Sequence, residues 1–245
     1  MFKVGLWGGL AAALLLAAAL AHPSASARAE TAVDLELVLA IDGSASVDEH
    51  EYRLQMQGIA RAIRDAEVVE IIRSGKRGRI AIAFMIWADA TVQKDFSPWS
   101  LIGGQASADA FAGLVAGFPR RVRGGTGIGA GIAEAIRMFD RNGFRGDRRV
   151  VDVSGDGSET PPREITLLIG DARAMAMARG VTVNGLAIQN EERELATWYL
   201  KNVITGPNAF VMAVTGYEDF AVAIKRKLIR EIENLPKLSM MRPAS

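Results

Sequence analysis

The stretch VDLELVLAIDGSAS, residues 33–46, runs an apolar segment straight into an acid and two hydroxyls. Leu35 to Ile41 is nearly continuous in apolar residues, the pattern of a strand whose two faces are both covered. In an extended chain alternate side chains point the same way, so Asp42, Ser44 and Ser46, spaced by two directly after that strand, can converge three oxygens on one place. A strand that delivers polar groups at its carboxyl end is the signature of an α/β sheet with a site along that edge.

The flanking sequence supports that architecture. Over 47–70, Tyr52, Met56, Ile59, Ile63 and Ala66 recur at helical spacing. Residues 79–87 and 91–96 read as two strands joined by the short turn 88–90, hence antiparallel, the second a more polar edge. A short helix over 107–116 follows, and the GGTG loop leads into Ile128, Ile132, Ala135, Ile136 and Phe139 on one helical face. RRVVDVSGDG, residues 148–157, is a strand ending at a turn; Ile165, Leu168, Ala172 and Met175 mark a helix, 181–188 a strand and 192–203 a helix. A strand over 209–214 and a helix through Phe220, Ile224, Leu228 and Ile232 complete the pattern. Strands alternating with helices predict an α/β fold: a doubly wound, mostly parallel, Rossmann-like sheet with one antiparallel edge strand and helices on both faces.

The chain begins with one lysine, an apolar run from Val4 to Ala21 and small residues around Ala25 and Ala29, the grammar of a secretory signal peptide over 1–29. One domain over 30–235 and a frayed tail over 236–245 are expected for the remainder. The formal net charge is +1 and Lys3 and Arg28 lie in the leader, so nothing favours nucleic acid or an anionic membrane, and no stable membrane insertion is expected after cleavage. The expected location is periplasmic or secreted. With no cysteine, disulfides, thiolate metal sites and cysteine nucleophiles are excluded. Of the two histidines, His22 leaves with the leader, so a serine–histidine–acid triad would depend on His50, in a charge-rich helical stretch.

Candidate site residues follow strands or open helices. Asp42, Ser44 and Ser46 end the first strand, Asp156 follows the VDVS strand, and Thr126 precedes a helix in RGGTGIG. All offer oxygen and none nitrogen or sulfur, a donor set for a hard cation: magnesium first, manganese or calcium as alternatives. Two carboxylates balance a double charge and leave room for water and one outside ligand, for which a partner's carboxylate is a favourable guest. Taken singly, Ser46 with Glu49 reads equally as a capping box, Thr126 as a helix cap and Asp156 as an Asp-Gly turn residue. GTGIGA, residues 125–130, matches a dinucleotide fingerprint formally but has no strand before it. An aspartyl nucleophile at Asp42 lacks the second acid two residues on, where Ser44 stands. Arg120, Arg121 and Arg123, just ahead of Thr126, can equally draw an acidic partner or form a solvated charged loop. Trp87 reads as core and Trp99 as a candidate for exposure, while Met175 and Met177 read as core filling.

Together Asp42-Gly43-Ser44-Ala45-Ser46, Thr126 and Asp156 resemble the three-part metal-ion-dependent adhesion site (MIDAS) of von Willebrand factor type A (VWA) domains, over nearly the whole mature chain. VDVSGDG, VTVNGLAI and ITGPNAF are further similar to an uncharacterised family of secreted bacterial proteins within that group, with no assigned activity. The resemblance implies that Ser44 and Ser46 bind the cation directly, Thr126 directly or through water, and Asp42 and Asp156 largely through water. Where many such domains have Thr-Asp-Gly, this chain has Gly155-Asp156-Gly157.

The expected function is therefore a secreted, metal-dependent protein-binding module of adhesion type, not an enzyme, whose partner presents Asp or Glu to the bound Mg2+ (or Mn2+/Ca2+). A metal-assisted hydrolase at the same oxygens is the rival, and a structural envelope component the third possibility.

Overall fold

The computed structural model describes residues 30–140, 142–160 and 167–233. The expected leader, the tail from 236 and Ile165 lie outside the described residues. The first strand, β1 (Thr31–Asp42), is longer than its apolar heart. It alternates faces: Leu35, Leu37, Leu39 and Ile41 point into one core, Val38 and Ala40 into the other. Each such side chain, fully removed from water, contributes about 1.5–3 kcal/mol before ordering costs.

Two helices follow where one was expected: α1 (Glu49–Ile63) and α2 (Ala66–Ser74). The break falls at Asp65, whose carboxylate accepts the Glu67 N–H at 3.0 Å and so caps α2. Next comes β2 (Ile80–Trp87), every residue buried. The antiparallel edge is not a strand over 91–96 but two short pieces, β3 (Asp95–Phe96) and β4 (Ser100–Ile102), paired with opposite ends of β2. The chain after β2 coils first because Asp89 accepts both the N–H and the hydroxyl of Thr91, and the Lys94 ammonium donates to the carbonyls of Asp89, Ala90 and Val92. The remaining elements are α3 (Gln105–Ala116), α4 (Ile128–Arg137), β5 (Phe144–Gly155), α5 (Ile169–Ala178), β6 (Val181–Ile188), α6 (Leu195–Asn202), β7 (Val211–Val214), a single 3-10 turn (Tyr217–Asp219) and α7 (Phe220–Glu233).

The sheet runs β3-β2-β1-β5-β6-β7 with β4 also on β2, and β2, β1, β5, β6 and β7 are mutually parallel. α1, α3 and α7 supply Ile59, Phe111 and Phe220 to one face; α4, α5 and α6 supply Ile132, Ala172 and Tyr199 to the other. The expected doubly wound α/β architecture is therefore present. Trp87 is buried as expected, but Trp99 is half-buried, its indole donating to the Met138 carbonyl at 3.1 Å, and Met177 is exposed rather than core filling.

α7 is fastened to the sheet by charge as well as by apolar packing. The Lys227 ammonium is fully buried, 2.6 Å from the carboxylates of both Asp152 on β5 and Glu231 one turn along the helix. Asn184 of β6 donates to the same Glu231 oxygen at 2.9 Å. Burial first, and the charge of Glu231 second, push the Asp152 carboxyl up to about 7.

Candidate metal centre

β1 and β5 are neighbours whose onward connections leave in opposite directions, so their carboxyl ends flank the crevice where doubly wound sheets place ligands. Asp42 is the last residue of β1, and Asp156 directly follows the last residue of β5. Both are buried.

The loop after β1 is held by its backbone. Asp42 Oδ1 accepts the Ser44 N–H at 2.7 Å, and the Asp42 carbonyl accepts from Gln55 of α1 at 3.2 Å. The Gly43 N–H donates to the Trp87 carbonyl, and the Ala45 N–H to the Gly124 carbonyl, each at 2.8 Å. The second of these ties the first loop to the Thr126 loop. The Arg120 guanidinium, its side chain only 3% exposed, donates to the carbonyls of Ser44 and Val47.

This scaffold brings four of the five expected residues into one chain of contacts. Ser44 Oγ lies 3.0 Å from Ser46 Oγ, and Ser46 Oγ donates to Asp156 Oδ1 at 2.7 Å across 110 residues of sequence. Asp156 Oδ2 accepts the Tyr217 hydroxyl at 3.0 Å. Thr126 stands alongside: its Oγ1 would be 3.9 Å from a Cβ built on Gly157, and no hydrogen bond among the described residues joins its hydroxyl to the serines. Its backbone pairs with Thr160, N–H to Oγ1 at 3.2 Å and carbonyl to N–H at 2.9 Å.

The helix-cap alternatives do not hold at either hydroxyl. α1 is capped by Asp48, with Glu51 completing the capping box, so Ser46 is left to face Asp156. α4 has Gly127 at its N-cap and no side-chain cap. Asp156 is 1% exposed, unlike a solvated turn residue.

The spacing suits a small hard cation. Adjacent oxygens on an octahedral ion at 2.0–2.1 Å are about 2.9 Å apart, and the serine–serine and serine–aspartate separations of 3.0 and 2.7 Å bracket that value. Asp42 Oδ2 is buried with no hydrogen-bond partner among the described residues. Burial first, then the charge of Asp156, push the Asp42 carboxyl up to about 7. A cation between the two carboxylates would relieve that repulsion. Among the described residues no three His, Asp or Glu side chains group into a metal cluster.

Several participants carry no signal in the sequence. Tyr217, just before α7, and Gln55 on α1 reach the site only through tertiary folding. The arginines are spoken for within the chain: Arg120 clamps the loop and pairs with Glu49 at 3.5 Å, Arg121 pairs with Asp95 at 3.1 Å, and Arg123 pairs with Glu49. Arg120 is thus a buried clamp, whereas Arg121 and Arg123 stay largely in solvent, each beside a carboxylate of this chain. Gly155 is explained by space: a Cβ there would stand 2.6 Å from the Tyr199 hydroxyl and 2.8 Å from Asp42 Oδ2.

With this geometry in place, comparisons bear on it. A protein family described as "Protein of unknown function (DUF1194)" matches residues 32–236. No curated protein matches the sequence. Among solved structures, the pilus adhesin SpaC from Lactobacillus rhamnosus GG is similar in fold, with a TM-score of 0.60 and 13% identity over 84% of this chain and 32% of its own. Proximal thread matrix protein 1 from the mussel byssus, solved with a zinc-occupied MIDAS motif, gives a TM-score of 0.55 and 17% identity over 82% of this chain and 46% of its own. The chain thus spans less than half of those proteins' lengths, and at such identities the likeness is one of fold: a VWA-like α/β module.

Proposed function

We propose that this chain, which belongs to the protein family of unknown function DUF1194, is an exported, cation-dependent protein-binding module. In this reading Ser44 and Ser46 hold a divalent cation through their hydroxyls, Thr126 binds directly or through water, and Asp42 and Asp156 act largely through water. The cation, magnesium first and manganese or calcium as alternatives, supplies a Lewis-acidic position that a partner's Asp or Glu completes. The observation that carries the reading is the Ser46 hydroxyl, which caps no helix and donates to Asp156 at 2.7 Å from another strand's end.

Protein recognition is favoured over hydrolysis by what surrounds those oxygens. The one histidine among the described residues, His50, is exposed at the start of α1 and stands in none of the hydrogen bonds that build the site. Two structural relatives, an adhesin and a byssus matrix protein, support an interaction role at the level of fold. Export rests on the leader-like segment 1–29. Among the described residues no helix is long and apolar enough to cross a membrane.

Calorimetric titration of the protein with MgCl2 and MnCl2 tests this. Wild type is expected to bind one ion, and Asp42→Ala to lose binding by tenfold or more. Equal binding by both proteins would refute the site assignment. Metal-dependent phosphatase or esterase turnover abolished by Asp42→Asn would replace the binding role with a hydrolytic one.

A further inference from the structure

Beneath the proposed cation site lies a small set of buried polar atoms that the fold leaves unmatched. Asp42 Oδ2 is an acceptor without a donor, and the Tyr199 hydroxyl is a donor without an acceptor, among the described residues. Both residues are 0% exposed. Each atom lies close to the point where a Cβ on Gly155 would stand, at 2.8 and 2.6 Å respectively, so the two are no more than about 5.4 Å apart, the sum of those distances. Trp87 Cζ2 lies 3.3 Å from the same point and closes the space on another side.

An unsatisfied buried donor or acceptor costs about 1–3 kcal/mol, and pairing these two atoms would remove that cost. The phenol hydroxyl is a donor, and one water can bridge two polar groups that do not touch. Tyr199 comes from α6, packed under β6, so its ring is fixed by apolar neighbours and only the hydroxyl has anything polar to meet. Gly155 is what allows this: any side chain at that position would displace the hydroxyl or the carboxylate.

We propose that Tyr199 is a positioning residue for Asp42: its hydroxyl donates to Asp42 Oδ2, directly or through one water, and holds the carboxylate beneath the cation held by Ser44 and Ser46. The proposal rests on the cation-site reading. It places a hydrogen-bond donor from α6 behind a carboxylate on β1. Outer-shell donors of this kind typically change metal affinity by 10–100-fold.

The test is Tyr199→Phe, which removes one oxygen and leaves the ring in place. In a calorimetric titration with MnCl2, at a temperature where both proteins are folded, the variant should bind at least about tenfold more weakly than wild type, and its melting temperature in chelator should fall because the Asp42 oxygen loses its donor. A readout of positioning is the tyrosine band in the near-ultraviolet difference spectrum. The difference spectrum that saturating MgCl2 induces in wild type should hold a tyrosine band that is missing from Tyr199→Phe. Wild-type affinity in Tyr199→Phe, or a difference spectrum with no tyrosine band lost, would overturn the role of Tyr199 while leaving the cation site standing. Failure of wild type itself to bind MnCl2 would overturn the cation site, and the positioning role with it.

Discussion

Lys227→Met is the sharpest test of how α7 is attached. In the native protein the ammonium sits 2.6 Å from Asp152 and 2.6 Å from Glu231, with none of the three exposed to more than 2%. A methionine fills the volume but leaves two carboxyl groups facing each other without their cation. Removing one partner of a buried ion pair costs about 3–5 kcal/mol, against a total stability of about 5–15 kcal/mol for a domain. For a domain of this size each kcal/mol corresponds to about 2–4 °C, so the melting temperature should fall by about 6–20 °C. The loss should depend on pH. Without Lys227 the Asp152 carboxyl, already raised to about 7, escapes the repulsion by binding a proton, so the variant should lose less at pH 5 than at pH 8. Urea unfolding followed by circular dichroism at both values measures this. A loss below about 1 kcal/mol at pH 8, or a larger loss in acid, would refute the picture of a charge-locked helix.

Three further outcomes follow from the same contacts. The Asp152 carboxyl is raised to about 7 in the folded state, from an ordinary value of 3.8; its stabilising proton is therefore fully bound below about pH 4 and lost as pH rises through about 7. Asp152→Asn, which fixes the neutral form, should accordingly gain melting temperature relative to wild type between pH 5 and pH 8, and a constant difference would contradict the assignment. Gly129→Ala should destabilise by about 1–3 kcal/mol or more in thermal unfolding, because its Cβ would lie 2.5 Å from the Ile169 backbone nitrogen and 2.7 Å from the Leu168 carbonyl carbon where α4 meets α5. Arg120→Ala should cost about 1–3 kcal/mol and also weaken Mn2+ binding measured calorimetrically, since the guanidinium holds the carbonyls of Ser44 and Val47; an unchanged affinity would make Arg120 a purely structural residue.

The fold was legible where apolar runs were long and periodic. Residues 181–188 form β6 with the expected bounds, and the helices through Ile128 and Phe220 start as expected, because helical and strand periods separate cleanly there. The sequence misled where polar side chains act on the backbone. Asp65 splits one apparent helix into α1 and α2, and the Asp89 and Lys94 contacts coil a segment whose composition reads as strand. At the candidate site, the loop residues could be named because each ends a strand or opens a helix. What surrounds them could not. Tyr217 and Tyr199 lie 61 and 43 residues from Asp156 in sequence, in a short acidic turn and a helix that carry no mark of a site until the fold brings their hydroxyls near two carboxylates. In the arginine cluster the sequence did not distinguish Arg120, buried against the carbonyls of Ser44 and Val47, from Arg121 and Arg123, which stay exposed beside Asp95 and Glu49.

Everything proposed for this site depends on a divalent cation held by the hydroxyls beyond β1. A crystal soaked in MnCl2, with anomalous diffraction collected at the manganese edge, addresses it directly. A peak is expected at direct coordination distance, about 2 Å, from both Ser44 Oγ and Ser46 Oγ, within reach of Asp42, Asp156 and Thr126 through water or directly. The peak should be absent in Asp42→Ala. Anomalous density confined to surface carboxylates, with Ser46 still donating to Asp156, would contradict it.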